Sequence, residues 1–339
     1  MTRIQRRLHA VMLLMVLVIL LAACGKKPEG MVKVTRSSLY TLVSMTVVTN
    51  DEAKAQQAIE NAYKELERLE QLLNFYADDS ELSEINRNAG VKPVKVSPEA
   101  FEVIEKAAFT SEMTEGAFDV TIGPLVKLWD FKKGVIPEKA AIAESLKRVG
   151  YKNIVLDKPA GTVYLKNSGS QMDLGGILKG YAADKATHIL KKNGFLSGIV
   201  TVGGEVRTFG TKPDGTPWIV GIQNPRQKDQ SDEVVATIAV SDKALSTSGD
   251  YIRFFEKDGS RYHHLLNPRT GYPADQCGSV TIVAEDGVTA DGFAKIFVLG
   301  PEKGLQIAKK AGFDALFIDC NGKILMSEGL QGKIRLQKH

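Results

Sequence analysis

The sequence has little of what would advertise a function outright. Only three cysteines occur, Cys24, Cys277 and Cys320, in no Cys-x-x-Cys or Cys/His spacing, which excludes a zinc ribbon, an iron–sulfur site and a disulfide-stapled mini-fold. Neither the G-x-G-x-x-G nor the P-loop pattern is present, so neither familiar nucleotide fingerprint can be claimed. Beyond residue 30 no dense Lys/Arg run is interleaved with aromatics, which argues against a nucleic-acid partner. Internal repeats and low-complexity tracts are missing as well. Aromatic residues make up only 7% of the 339, yet 43% are hydrophobic and 25% charged, a balance that excludes disordered and fibrous classes and supports a full core.

The one long apolar run lies at the N-terminus. Arg3, Arg6 and Arg7 precede an apolar stretch at residues 11–21, and Leu21, Ala22, Ala23 and Cys24 follow in the manner of a bacterial lipobox. Residues 1–23 are therefore read as a lipoprotein signal peptide, with lipid on Cys24 holding an exported protein at a bacterial membrane, outside the cytoplasm. A permanent helical anchor is the weaker reading, because the run falls short of the roughly 20 residues a spanning helix needs. Those three arginines supply most of the formal net charge of +4, so the processed chain is almost neutral. Residues 24–38 are polar and read as a flexible tether. No linker divides residues 39–339, which are taken as one catalytic unit with room for two lobes. For Cys277 and Cys320, a disulfide and two buried free thiols both remain open.

Apolar residues Ile59, Tyr63, Leu66, Leu69 and Leu73 recur every three or four positions and predict a helix ending near Asn74. Ser97 followed by Pro98 opens a second, and a third is expected over residues 137–150. Residues 153–157 and 162–166 read as a hairpin, residues 178–193 as a helix stopped by Gly194, and residues 287–299 as another. Strands fit residues 40–49, 199–202, 218–223, 234–240, 261–266 and 279–284. Strands and helices alternate without a regular βαβ rhythm, so the expected class is α+β, mixed sheets with interleaved helices.

Three glycine-rich segments and one acidic helix start are candidates for chemistry. Asp173, Leu174, Gly175 and Gly176, running into Lys179 and Gly180, offer unobstructed backbone N–H groups at a helix start, suited to phosphate oxygens. Asp173 either holds a metal or ligand hydroxyl there or simply caps a tight turn. Gly203 and Gly204 permit a close backbone approach or mark a β-bulge. Ser248, Gly249 and Asp250, read together with His263 and His264 as one predicted hairpin, concentrate polar groups that a core would not choose. Adjacent strand residues face opposite ways, so one histidine serves a site and the other is expected in solvent. Asp291 either favours the helix dipole or ligates a cation.

In the same order along the chain, from about Tyr40 to near the C-terminus, these segments resemble the FAD:protein FMN transferase (ApbE) family. The blocks are Ser80, Glu81, Leu82 and Ser83 with Asn86; residues 116–125; residues 173–184; Gly203 and Gly204; residues 248–251; residues 264–271; Ala290 with Asp291; and residues 298–300. The resemblance implies an ApbE-like, T-fold-like unit that uses Mg2+ to split FAD and places FMN on a threonine of an exported acceptor, such as a subunit of a membrane redox complex. It further implies flavin-dinucleotide contacts at Met45, Tyr76, Ala117, Phe118, Asp119, Asp173, Lys179 and Leu266. Metal contacts fall at Gly176 and Asp291, and His264 becomes the base for the acceptor hydroxyl. Three departures stand out: Met45 runs directly into Thr46 where the family often has Met-Gly-Thr, Asn267 stands for a more usual aspartate, and Lys295 for a threonine that commonly ligates metal. An ammonium donates and cannot ligate. The competing readings are an FAD-binding lipoprotein without catalysis and an FAD pyrophosphatase yielding FMN and AMP.

Overall fold

Eight strands pair in strict chain order into one antiparallel sheet: β1 (Met31–Ser38), β2 (Thr41–Val48), β3 (Gly198–Val202), β4 (Glu205–Phe209), β5 (Ala244–Gly249), β6 (Ser279–Ala284), β7 (Asp314–Ile318) and β8 (Ile324–Met326). This computed structural model describes residues 30–226 and 233–337; the signal segment and Cys24 lie outside the described residues. No helix among the described residues is long and apolar enough to cross a membrane.

Alternation along the strands assigns each face of the sheet a partner. On one face, Val43, Met45 and Val47 of β2 meet α1 (Glu52–Leu73) and α3 (Leu178–Lys192), while Val280 and Ile282 of β6 with Phe317 of β7 meet α4 (Gly287–Phe293) and α5 (Gly300–Ala311). On the other face, Val283, Leu316 and Ile318 pack on Trp218, Ile222 and Ile238 of a three-stranded sheet formed by Trp218–Gln223, Val234–Val240 and Ile334–Leu336. The α+β expectation is thus met by layers of helix, large sheet and small sheet. Between β2 and β3 the chain also builds α2 (Pro98–Met113), capped by Ser97, whose hydroxyl accepts from Ala100 N.

Several expectations are revised. Residues 31–38 are no tether: they pair along their whole length with β2, and Val32 and Val34 pack against the core. Their five exposed side chains hid this edge strand, which is held by backbone bonds more than by burial. The expected helix over residues 287–299 is α-helical to Phe293 and continues as a 3-10 turn through Leu299. Residues 246–249 of the polar segment belong to β5 in the large sheet and Asp250 and Tyr251 form the turn after it, whereas His263 ends a separate hairpin of Phe254–Lys257 and Ser260–His263. Its sequence neighbours are therefore not its sheet neighbours. Both cysteines are free thiols, Cys277 buried and Cys320 exposed.

Candidate active site

The site forms where the start of α3 crosses α4. Asp173 turns the chain into the glycine segment, its Oδ1 accepting from Gly175 N at 2.8 Å, so the turn-capping role is filled. Burial raises its carboxyl pKa, with the nearby Arg253 charge acting the other way. Gly180 and Gly287 let the two helices touch. A Cβ on Gly180 would lie 2.5 Å from the Gly287 carbonyl carbon and 2.7 Å from Asp291 Cβ. Asp184 of α3 locks this crossing by accepting from the N–H groups of Gly287 and Val288 at 2.8 and 2.9 Å. The close approach delivers Gly180 N to Asp291 Oδ2 at 3.0 Å.

Asp291 has no solvent exposure and sits in a charge cluster. Its Oδ1 and its backbone oxygen each accept from Lys295 Nζ at 2.9 Å, one helical turn on, and Lys179 Nζ stands 3.8 Å from Oδ2. Lys179 also pairs with Glu205 at the start of β4, whose second carboxylate oxygen, Oε2, is buried without a hydrogen-bond partner. Burial works against the Asp291 carboxylate, but Lys179 and Lys295 prevail and hold its pKa below the ordinary value. For Glu205, burial wins over Lys179 and raises the pKa. Burial also opposes the Lys179 ammonium, and the charges of Asp291 and Glu205 overcome it, raising its pKa.

Above this floor the Gly176 turn is open. A Cβ there would meet Phe118 Cε2 at 3.1 Å and Lys295 Cε at 3.2 Å, so the bare glycine leaves room for the lysine stem that a side chain would have to push aside by a few tenths of an ångström. Tyr76, 72% exposed, stands edge-on to Phe75 at 5.1 Å. His264 belongs to the same space. Its pKa falls well below 6.5 through burial, then the charges of Arg253, His263 and Lys295, and its Nδ1 is buried without a partner. His263 is not solvated as expected. It is buried, with Nε2 2.6 Å from Ala274 O, Nδ1 accepting from Leu265 N, and its ring edge-on to Phe297. The strand ends at His263, so the two-residue alternation that would put the rings on opposite faces does not extend to His264.

The structure thus brings Tyr76, Phe118, Asp173, Gly176, Lys179, His264 and Asp291 to one place, with Ala117 next to Phe118. Three expected residues enter it differently. Met45 is fully buried in the β2 core, and Leu266 packs with Leu125, Trp129 and Ile142. Asp119 spends both carboxylate oxygens on Thr121 and on Tyr151 N. Asp250, the carboxylate of the polar segment after β5, is clamped by Arg226 at 2.7 and 2.9 Å. Sequence reading missed Glu205 and Arg253. The exposed Arg253 guanidinium is felt at Tyr76, Asp173, Lys179 and His264, and its backbone oxygen accepts from His264 N at 3.1 Å. Its place in the bend just before the Phe254–His263 hairpin, paired through its backbone with His264, was the available signal.

The residues do not fit the expected Mg2+ on Gly176 and Asp291. Mg2+ wants near-octahedral oxygen ligands, whereas the space around the Asp291 carboxylate is taken by two ammonium groups, Lys295 Nζ at 2.9 Å and Lys179 Nζ at 3.8 Å, which repel a cation and cannot ligate it. No group of three or more His, Cys, Asp or Glu side chains suited to a metal occurs among the described residues.

Comparison with known proteins adds the following. Residues 39–317 match the model of the ApbE family. The FAD:protein FMN transferase of Treponema pallidum (strain Nichols) is 35% identical over 302 residues, covering 84% of this chain and 83% of that protein. Its counterpart in Klebsiella pneumoniae (strain 342) is 33% identical over 290 residues, with 84% and 88% covered. The crystal structure of an ApbE protein from Thermotoga maritima superposes with a TM-score of 0.82 at 34% identity, covering 90% of this chain and 100% of that one. The flavin transferase ApbE from Vibrio cholerae gives 0.80 at 29%, covering 90% and 99%.

Proposed function

The chain belongs to the ApbE family and is an FAD:protein FMN transferase, and from that premise we propose that it moves FMN onto a threonine hydroxyl of an exported acceptor, with His264 as general base. The threonine oxygen attacks the FMN phosphorus. A new P–O bond forms, the P–O bond to the AMP phosphate breaks with its electron pair leaving on AMP, and the hydroxyl proton passes to the His264 imidazole. Phosphoryl transfer of this kind depends mainly on positioning and charge stabilisation. Lys179, Lys295 and Arg253 supply cations for the pyrophosphate, the open Gly175–Gly176 backbone lets it approach, and Tyr76 offers a ring face to a planar group of FAD. Magnesium enters no step, because its expected place is filled by ammonium.

The observation that carries this reading is the state of His264. Burial first, and then the Arg253 and Lys295 charges that would also serve the pyrophosphate, disfavour imidazolium, so the neutral base and part of the anion-binding surface share the same residues. A positioned general base contributes about 10²- to 10⁴-fold. Single-turnover transfer by His264→Ala should fall by that factor with FAD affinity retained, and wild-type transfer should keep its plateau as pH drops through 6.5. A small loss, or a rate that halves near pH 6.5, would remove His264 from the chemistry.

The lipobox at Cys24 supports export and attachment to a membrane surface, with the acceptor outside the cytoplasm, in keeping with a redox-complex subunit. Nothing in the charge pattern favours nucleic acid.

A further inference from the structure

We propose that the Lys295 ammonium is the built-in cation of this site, seated on Asp291 under the Gly176 turn and serving the FAD pyrophosphate in place of a divalent metal. The inference rests on the transferase reading and says how that reaction meets its charge requirement.

The geometry has three parts. Lys295 Nζ donates to Asp291 Oδ1 and to Asp291 O, both at 2.9 Å, which commits two of the three N–H bonds an ammonium has. Its side chain is only 17% exposed, and its stem passes the bare Gly176 backbone, whose missing Cβ would stand 3.2 Å from Lys295 Cε. The positive head is thus held beneath the turn best suited to phosphate oxygens, and its charge is among those that disfavour a protonated His264. Lys179, held by Glu205 and near the other Asp291 oxygen, supplies a second positive charge.

A metal ion on the remaining lone pairs of Asp291 would lie against the ammonium groups of Lys295, 2.9 Å from Oδ1, and Lys179, 3.8 Å from Oδ2, and would have to push positive charge aside to bind. A lysine needs no such rearrangement and binds phosphate as a point charge. As the P–O bond to AMP breaks, the growing charge on the departing phosphate is met by Lys295 and Lys179, while the hydroxyl proton goes to His264. Reactants and products then balance as threonine plus FAD giving FMN-threonine plus AMP, with no metal in the sum.

The test uses the full chain in detergent, with FAD and a threonine-bearing acceptor protein, and compares EDTA with millimolar Mg2+. AMP release and acceptor flavinylation should agree within about two-fold between the two media, and equilibrium dialysis with Mn2+ alone should find no stoichiometric bound metal. Lys295→Met should lose about 10²-fold or more in both media, as removal of a transition-state charge partner does. Lys295→Thr should gain Mn2+ binding and respond to Mg2+. A ten-fold or greater loss in EDTA restored by Mg2+, or one Mn2+ bound per wild-type chain, would overturn the proposal. Both results come from the wild type, so they stand even if a variant fails to fold. Absence of AMP and flavinylation in both media would instead refute the transferase reading, and the dialysis arm would still decide the cation.

Discussion

Gly180→Ala tests whether the α3–α4 crossing positions the site. The added Cβ would lie 2.5 Å from the Gly287 carbonyl carbon and 2.7 Å from Asp291 Cβ, both far inside ordinary contact. Carbon atoms settle near 3.5–4.0 Å, so the helices must separate by about 1 Å. Overpacking of this kind costs about 1–3 kcal/mol. The same movement stretches the 3.0 Å bond from Gly180 N to Asp291 Oδ2, a hydrogen bond to a charged group worth about 1.5–3 kcal/mol. Together these give about 3 kcal/mol or more, which for a chain this size should lower Tm by at least about 5 °C. The functional loss should be larger, because a misplacement of about 1 Å at a reacting centre can cost about 10²-fold. Scanning fluorimetry and AMP release read the two effects. Gly204→Ala is the control: a Cβ there meets only Thr247 O at 3.9 Å, so its Tm should match the wild type. If Gly180→Ala melts and turns over like the wild type, the helix crossing does not set the geometry of Asp291.

Tyr76→Ala should weaken FAD binding by about 1 kcal/mol with little change in Tm, because the exposed ring has only its edge contact with Phe75 to lose; flavin fluorescence titration decides it. His263→Ala should behave in the opposite way, costing about 1–3 kcal/mol of stability through the abandoned Ala274 carbonyl while the transfer step of folded enzyme stays near normal. Both histidines have depressed pKa values, so the folded protein binds fewer protons than the unfolded chain just below pH 6.5. Stability therefore falls as pH drops below that point, and His264→Ala should flatten part of the slope in urea titrations. Cys24→Ser should release the protein from membranes or block its maturation, and finding the wild type soluble, uncleaved and unacylated would reject the lipid anchor.

Local signals made much of the fold legible. The apolar stripe of α1 is buried at every residue from which it was read, and Ser97 and Pro98 open α2 as caps do. Both depend on neighbours within a few positions. β1 escaped notice because its side chains are mostly exposed and the alternation of Val32 and Val34 is short. The site divides the same way. The Asp173–Gly180 segment and His264 were visible as local motifs, whereas Glu205 meets Lys179 across 26 residues and Gly180 meets Asp291 across 111. His263 was misplaced because strand alternation was extended one residue past the strand. Lys295 was seen as a departure from the family pattern, but its seat on Asp291 required the helix geometry.

The most direct measurement of the account is the ratio of AMP released to FMN bound covalently on a purified acceptor, followed in one reaction by chromatography and mass spectrometry. Transfer through His264 and the lysine-lined turn predicts one AMP per flavin attached, acceptor-dependent AMP release, and loss of both when the acceptor threonine is replaced by alanine. AMP formed at the same rate without acceptor would mean hydrolysis, and FAD bound with no AMP at all would mean storage; either result contradicts the account.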